Sequence, residues 1–285
     1  MYWPPITVCL VVIKCHTVVV SNSLYPIPII GIFFRFNFFH MAILEKGSVL
    51  FLQRQIEQLS ITDALKKLAA SFSGRVSFST SFGPEDQVIT DLISKSGAVI
   101  SLFTLDTGRL FPETYTTWHS TIEQYGFSIK AFYPDEKQLQ TYVTANGPNA
   151  FYQSVEMRQK CCYIRKVLPL KKALENQAVW ITGLRAEHSD SRNNLQILEW
   201  DEERRLIKYN PLLHWTTEEV SSYIKQHHVP NNPLFEKGFV SIGCAPCTRA
   251  IRPGEDFRAG RWWWEDNSKK ECGLHEHKII TSQIA

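Results

Sequence analysis

A chain of 285 residues, 44% of them hydrophobic and 21% charged, has a globular composition with apolar residues enough for one substantial core or two small ones, which excludes disorder as the default state. Its formal charge of +3 is too mild for a dedicated nucleic-acid binder, although a few arginines gathered around a small anion would give the same sum. Seven cysteines, an odd number clustered in the second half, fit reduced thiols in the cytoplasm better than a closed disulfide framework.

The N-terminus carries apolar runs at Val8 to Ile13 and Val18 to Val20. Lys14, His16, Asn22, Pro26, Pro28, Arg35 and Asn37 cut them shorter than the ~20 residues that a membrane-spanning helix needs. Met1 to Thr7 lacks the basic start of a signal peptide, and Met41-Ala42 resembles an ordinary start, so residues 1–40 are expected to be an extension outside the fold. From Val49 the apolar spacing of Leu50, Ile56 and Leu59, then of Ala64, Leu65 and Leu68, predicts two short helices. A strand over Val76 to Thr80, a turn over Ser81 to Asp86 and a helix over Gln87 to Ser94 follow. Ala98 to Leu105 reads as a second strand ending in Asp106-Thr107-Gly108, with a helix after Pro112 and a third strand over Ser128 to Tyr133.

Beyond the polar stretch Asn146 to Asn149, Arg165 to Leu174 reads as a helix, Val179 to Gly183 as a buried strand and Lys208 to Leu212 as a further strand. Thr216 with Glu219 makes a capping box for a helix through Gln226. Strands alternating with helices predict an α/β domain with a mostly parallel sheet and helices on both faces. The division expected is 1–40, 41–243 with the first cysteine pair, and 244–285 with the second pair and a cysteine-bearing tail. Ligands of such sheets bind outside the carboxyl ends of the strands, where the loops Ser79 to Asp86, Leu105 to Arg109 and Gly183 to Arg192 fall.

Cys244-Ala-Pro-Cys247 lets two thiolates reach one metal centre, and Pro246 stiffens the turn. A redox dithiol is the rival, but no strand is evident before it. Cys161-Cys162 supplies two more thiolates. Adjacent side chains diverge on a helix, so they demand a widened site, which suits a multi-iron cluster better than a compact zinc ion. Lys160, Arg165, Lys166 and Arg249 lie beside these cysteines, either as solvated helix charges or as a field for thiolates and an anion; Lys166 fits the second role better. Arg258 and Arg261 stand three apart before Trp262-Trp263-Trp264 and suit phosphate or sulfate oxygens. Cys272, between Lys269-Lys270 and His275, has the basic surroundings of a reactive thiolate.

Cys161-Cys162-x-x-Arg165-Lys166, Gly183-Leu184-Arg185, Cys244-x-x-Cys247-Thr248-Arg249, Arg258-Ala-Gly-Arg261-Trp262 and Lys270-Glu-Cys272-Gly-Leu-His275 together closely resemble the assimilatory adenylyl-sulfate reductases, over roughly Ser48 to His277. The resemblance implies an adenine-nucleotide alpha-hydrolase-like (Rossmann-like) nucleotide-binding domain. It also implies thiol-based reduction of adenosine 5'-phosphosulfate to sulfite and AMP, with thioredoxin or a glutaredoxin-like dithiol as donor and no nucleic acid or membrane as partner; a homo-oligomer is compatible with it. By motif, Cys272 attacks the sulfur and is left as an S-sulfonate, while Lys166, Arg258, Arg261 and His275 offset the repulsion between thiolate and anionic substrate. Ser79, Thr80, Ser81, Gly83, Leu105, Asp106, Thr107, Gly108, Gly183, Arg185 and Arg192 hold adenosine and phosphate. Cys161, Cys162, Cys244 and Cys247 hold a 4Fe-4S cluster with a structural and electrostatic role. Glu85 and Asp86 are acidic where a phosphate loop prefers neutrality, so hydrogen bonds to nearby backbone or to ribose are expected of them.

Three alternatives accompany this reading. Reductases of 3'-phosphoadenylyl sulfate share the fold and the C-terminal cysteine motif but lack both cysteine pairs. An ATP-dependent adenylating enzyme would show a Ser-Gly-Gly-x-Asp-Ser loop, which Ser81-Phe-Gly-Pro-Glu-Asp86 is not. A zinc-stabilised nucleic-acid-binding module meets the low net charge as an obstacle.

Overall fold

Hydrophobic alternation along short strands organises the molecule. A computed structural model describes residues 46–188 and 195–265, all within one compact unit, 43–285. Its sheet contains β1 (Val76–Ser79), β2 (Ser101–Leu105), β3 (Ile129–Phe132), β4 (Val179–Ile181), β5 (Leu198–Asp201) and β6 (Leu206–Tyr209) in the order β3-β2-β1-β4-β6-β5. All neighbours run parallel except β5, which pairs antiparallel with β6. Phe78 stands opposite Leu102 on one side and Ile181 on the other, and Ile181 opposite Tyr209, so one apolar row crosses the central strands.

Successive strand residues point to opposite faces. Val76, Phe78, Val179, Ile181, Ile207 and Tyr209 are buried in the main core, together with residues of α1 (Lys46–Ile56), α2 (Ile61–Ser71), α3 (Pro84–Ser96) and α8 (Thr217–His227). Phe103, Trp180 and Leu206 fall on the other face, against Leu170, Ala173 and Leu174 at the end of α7 (Leu168–Ala173). Both faces are covered, as the alternation of strands and helices predicts. Each side chain of this size, fully buried, contributes roughly 1.5–3 kcal/mol.

Local signals set the helix ends. Ser60 caps α2 by accepting from the Asp63 amide at 3.1 Å. α4 (Pro112–Tyr125) opens on its proline, as read, and ends on Gly126, whose φ of +68° is a conformation that a side chain would strain. The capping box at α8 is complete: Glu219 N donates to Thr216 Oγ1 and Thr216 N donates to Glu219 Oε2. Three elements depart from the sequence reading. α5 (Glu136–Asn146) and β5 were missed although each carries a signal: Leu139, Tyr142 and Val143 stand at helical spacing behind Asp135, which caps α5 through the Gln138 amide, and Leu198 and Trp200 alternate with Glu199 and Asp201. The helix expected from Arg165 begins ten residues earlier, at Val155, as α6 (Val155–Cys162).

Strand β1 feeds β2 on one side and its other neighbour is β4, so the order reverses between β1 and β4. That reversal opens a crevice at the carboxyl ends of the strands. No helix among the described residues is long and apolar enough to cross a membrane.

Thr216→Ala removes one half of the capping box and leaves the Thr216 amide bond to Glu219 in place. We expect it to lower stability by ~1 kcal/mol, read as a shift in the urea midpoint at unchanged slope, with α8 as the first segment to gain amide exchange.

Candidate active site

Loops that follow β1, β2 and β4 converge on a cleft of about 280 Å³. Ser79, Thr80, Ser81, Gly83, Leu105, Thr107 and Gly183 line it, as do Lys166, Arg258 and Arg261. Asp106 and Gly108, expected beside them, are not among its lining residues. Asp106 is buried and accepts hydrogen bonds from the Gly108 amide (2.8 Å) and the Tyr115 hydroxyl (2.9 Å), which shapes the loop at the end of β2. Arg185 also lies outside the lining. It is 1% exposed and donates to Glu85 Oε1 (2.9 Å), to Glu187, to the Trp215 carbonyl (3.0 Å) and to Thr217 Oγ1 (3.0 Å), so it ties the β4 loop to the starts of α3 and α8. Arg192, Cys272 and His275 fall outside the described residues.

The two acidic residues of the first loop are spent on protein contacts. Glu85 pairs with Arg185, and Asp86 accepts from both the amide (2.6 Å) and the hydroxyl (2.7 Å) of Ser81. Gly183 packs directly against the Asp86 carboxylate, where a Cβ would collide with it. Burial pushes the Asp86 carboxyl up to about 6, against the opposing pull of the Ser81 hydrogen bonds and with a further push from the Glu85 charge.

The four cysteines meet. Cys161, Cys162, Cys244 and Cys247 are free thiols and line one small cavity with Arg109, Arg158, Arg165 and Lys166. The helix carrying the first pair changes form at that point: α6 passes into a π turn over Tyr163–Val167 and then into α7 without a break. The Leu168 amide reaches back to the Tyr163 carbonyl, and Pro169, next in line, has no amide to continue an α ladder and would crowd the carbonyl four residues before it. This widened turn directly follows the vicinal cysteines, which is where divergent neighbours need the helix to open.

The second pair reaches the cavity through its own network. Thr107 Oγ1 contacts Cys244 Sγ at 3.2 Å, the Ala245 amide donates to the Arg109 carbonyl, and Arg165 Nη1 donates to the Thr107 carbonyl at 2.5 Å. Burial raises the Cys244 thiol, but Lys166, the Thr107 hydroxyl, Arg261 and Arg165 outweigh it, leaving Cys244 below an ordinary thiol. Cys247, buried beside the Cys244 charge, is pushed up to about 12. No three His, Cys, Asp or Glu side chains among the described residues group as ligands of a single metal ion. A donor set of four thiols around one cavity that Arg109, Arg158, Arg165 and Lys166 also line, with the buried Nε of Arg165 lacking an acceptor, fits a polynuclear anionic thiolate centre.

The C-terminal segment closes over this ground. Trp262, 1% exposed with φ +42°, lies under the guanidinium groups of Arg158 (4.4 Å), Arg261 (4.9 Å) and Arg258 (5.8 Å). Its amide donates to the Cys247 carbonyl, and Gly243 leaves the space that the Arg261 guanidinium fills. Lys166 lines both the cysteine cavity and the cleft, so one cation serves both. Sequence reasoning missed Trp180, whose indole donates to Ser79 Oγ at 2.8 Å and walls the cleft, because a tryptophan in a buried strand reads as core. It also missed the irregular stretch Val240 to Gly243, which carries no periodic signal.

Residues 75–250 match the family model described as the phosphoadenosine phosphosulfate reductase domain. The chain is 50% identical over 206 residues to an adenosine 5'-phosphosulfate reductase of Agrobacterium fabrum (72% of this chain, 79% of that one). It is 48% identical over 224 residues to that of Burkholderia cepacia (79% and 88%). Among solved structures, a phosphoadenylyl-sulfate reductase from Candida auris in complex with phosphate superposes with a TM-score of 0.60 at 25% identity, covering 73% of this chain and 98% of that one.

The raised Asp86 carboxyl has a pH signature. The folded state holds this proton to about pH 6 and the unfolded chain releases it near 4, so the group's contribution to stability is full below about 4 and falls as pH rises to about 6. Asp86→Asn cannot titrate. Its stability relative to the parent should therefore rise by roughly 2–3 kcal/mol between pH 4 and 7 in urea titrations, whatever the offset at a single pH.

Proposed function

The chain belongs to the phosphoadenosine phosphosulfate reductase domain family, and on that premise we propose that it reduces adenosine 5'-phosphosulfate to sulfite and AMP in the assimilation of sulfate. It is an oxidoreductase that acts on a sulfur group. The observation that carries the reading is the position of Lys166, shared between the four-cysteine cavity and a cleft that Arg258 and Arg261 also line. Such a concentration of cations suits a phosphosulfate, and the carboxyl ends of β1, β2 and β4 offer room for a nucleoside.

In this reading the Cys272 thiolate displaces AMP from the sulfonyl sulfur, forming an S–S bond as the S–O bond to phosphate breaks. The enzyme is left as a cysteine S-sulfonate. One thiol of a reduced thioredoxin, or of a glutaredoxin-like dithiol, then attacks Cys272, sulfite leaves with the bonding pair, and the donor's second thiol closes its disulfide and returns Cys272 to the thiol. The donor is oxidised by two electrons and the sulfur is reduced by two. Lys166, Arg258, Arg261 and His275 offset the repulsion between thiolate and sulfonyl oxygens and stabilise charge on the leaving phosphate. Cys161, Cys162, Cys244 and Cys247 would hold a 4Fe-4S cluster, which when bound supplies a structural tie and an electrostatic field. Arg165, which lines the cysteine cavity and keeps an unpaired buried Nε, supplies positive charge beside that centre. Chemistry that depends on reduced thiols supports a cytoplasmic location in this reading, since thiols stay reduced there.

Cys272→Ser tests the reading. We expect sulfite production to disappear while the visible absorption of the purified protein persists, and the parent treated with substrate alone to gain the mass of a sulfonate that the variant lacks. A colourless, zinc-loaded protein from anaerobic purification would overturn the cluster. A higher kcat/KM on the 3'-phosphorylated nucleotide would move the substrate to that of the solved Candida auris relative.

A further inference from the structure

Arg158 lies on α6, three residues before Cys161, and is 1% exposed. Its Nε donates to Glu265 Oε1 at 2.8 Å and its Nη2 to Glu265 Oε2 at 3.0 Å, in a forked pair whose carboxylate is also buried, at 4% exposure. The same guanidinium stacks over Trp262 at 4.4 Å and faces Cys162. Glu265 is the last described residue of the C-terminal segment, and Cys272 follows it by seven.

We propose that Arg158 is a positioning residue for the thiol chemistry: through Glu265 it fixes the root of the Cys272 tail to the helix that carries Cys161 and Cys162. The inference rests on the role assigned to Cys272 above. A buried ion pair stabilises a protein no better than apolar side chains of the same volume, but it accepts one geometry only, since either partner alone would be a buried uncompensated charge. Seven extended residues reach at most about 25 Å, so the position of the root decides which surfaces the thiol can reach, and a root held at the right span raises its effective concentration at the substrate. Because Arg158 touches both Cys162 and Glu265, the state of the cysteine site and the placement of the tail root are set by one side chain.

Glu265→Gln keeps the size of the partner and removes its charge; Arg158→Lys keeps the charge and removes the fork. The two variants are compared with the parent in three measurements: the rate at which Cys272 gains a sulfonate at saturating adenosine 5'-phosphosulfate, the Kd for AMP, and the rate of tryptic cleavage after Lys269 and Lys270. For Glu265→Gln we expect sulfonation to slow ~10-fold or more, AMP affinity to stay within ~twofold and cleavage to quicken, with Arg158→Lys in between. Sulfonation and cleavage at parental rates would overturn the proposal, as would a slowing matched by an equal loss of AMP affinity, which marks general damage. If Glu265→Gln does not fold, Arg158→Lys decides by the same readings. A parent protein that gains no sulfonate would sink the role of Cys272 instead, and the cleavage rates would then decide the anchoring alone.

Discussion

Four thiols taken from a helix and from a distant irregular segment line one buried cavity, and the cost of placing ionisable sulfur out of water governs what surrounds it. Three of the four cysteines are buried, and burial with the Cys244 charge beside it pushes the Cys247 thiol up to about 12. Cys244 does the opposite because Lys166, Arg261 and Arg165 stand close and Thr107 contacts its sulfur. A cation brought in to settle the sulfur must itself be settled, and the solutions propagate outward: Arg165 to the Thr107 carbonyl, Arg109 to Asn149 and the Pro148 carbonyl, Arg158 to Glu265. The positive field of the neighbouring cleft follows from this arrangement, because Lys166 and Arg261 border it as well.

Residues that line the two cavities were legible in the sequence where their identity is rare and their spacing fixed. Both cysteine pairs, Lys166, Arg258 and Arg261 fall in this class, and the structure brings them to adjoining walls of two neighbouring cavities. The loop residues Ser79 to Gly83 were legible for a different reason: a short buried strand followed by a turn and a helix start implies where backbone amides point. Arginines engaged in tertiary pairing were not. Arg158 and Arg185 are each 1% exposed; Arg158 went unnoticed and Arg185 was expected to hold substrate, because their partners, Glu265 and Glu85, are about a hundred residues away and are set by the fold.

The missed elements share a cause. α5 has one buried residue, Tyr142, with only Leu139 and Val143 beside it at helical spacing, and α6 buries Arg158 and Cys161 instead of an apolar stripe, so the period that betrays a helix packed on a conventional core is short in one and missing in the other. The thiol cavity acts as a second core for them: Tyr142, Phe151, Ile164 and Trp262 cluster with Cys161, Cys244 and Cys247. Hydrophobic patterning located the sheet and its covering helices, and fell silent where sulfur and arginine replace aliphatic packing.

Besides its contacts with α6 and the β2 loop, the described part of the C-terminal segment is held by contacts among its own residues. Arg249 donates from its amide to the Gly260 carbonyl and from its guanidinium to Glu255, Trp262 returns to Cys247, and Thr248 bridges Arg261. Loops this short close at small entropic cost, whereas joining the segment to α6 spans a large part of the chain. On a ribosome the sheet and α6 emerge before this segment. Assembly of the sulfur site therefore joins two stretches far apart along the chain, and the site is complete only once the later one has folded back onto α6.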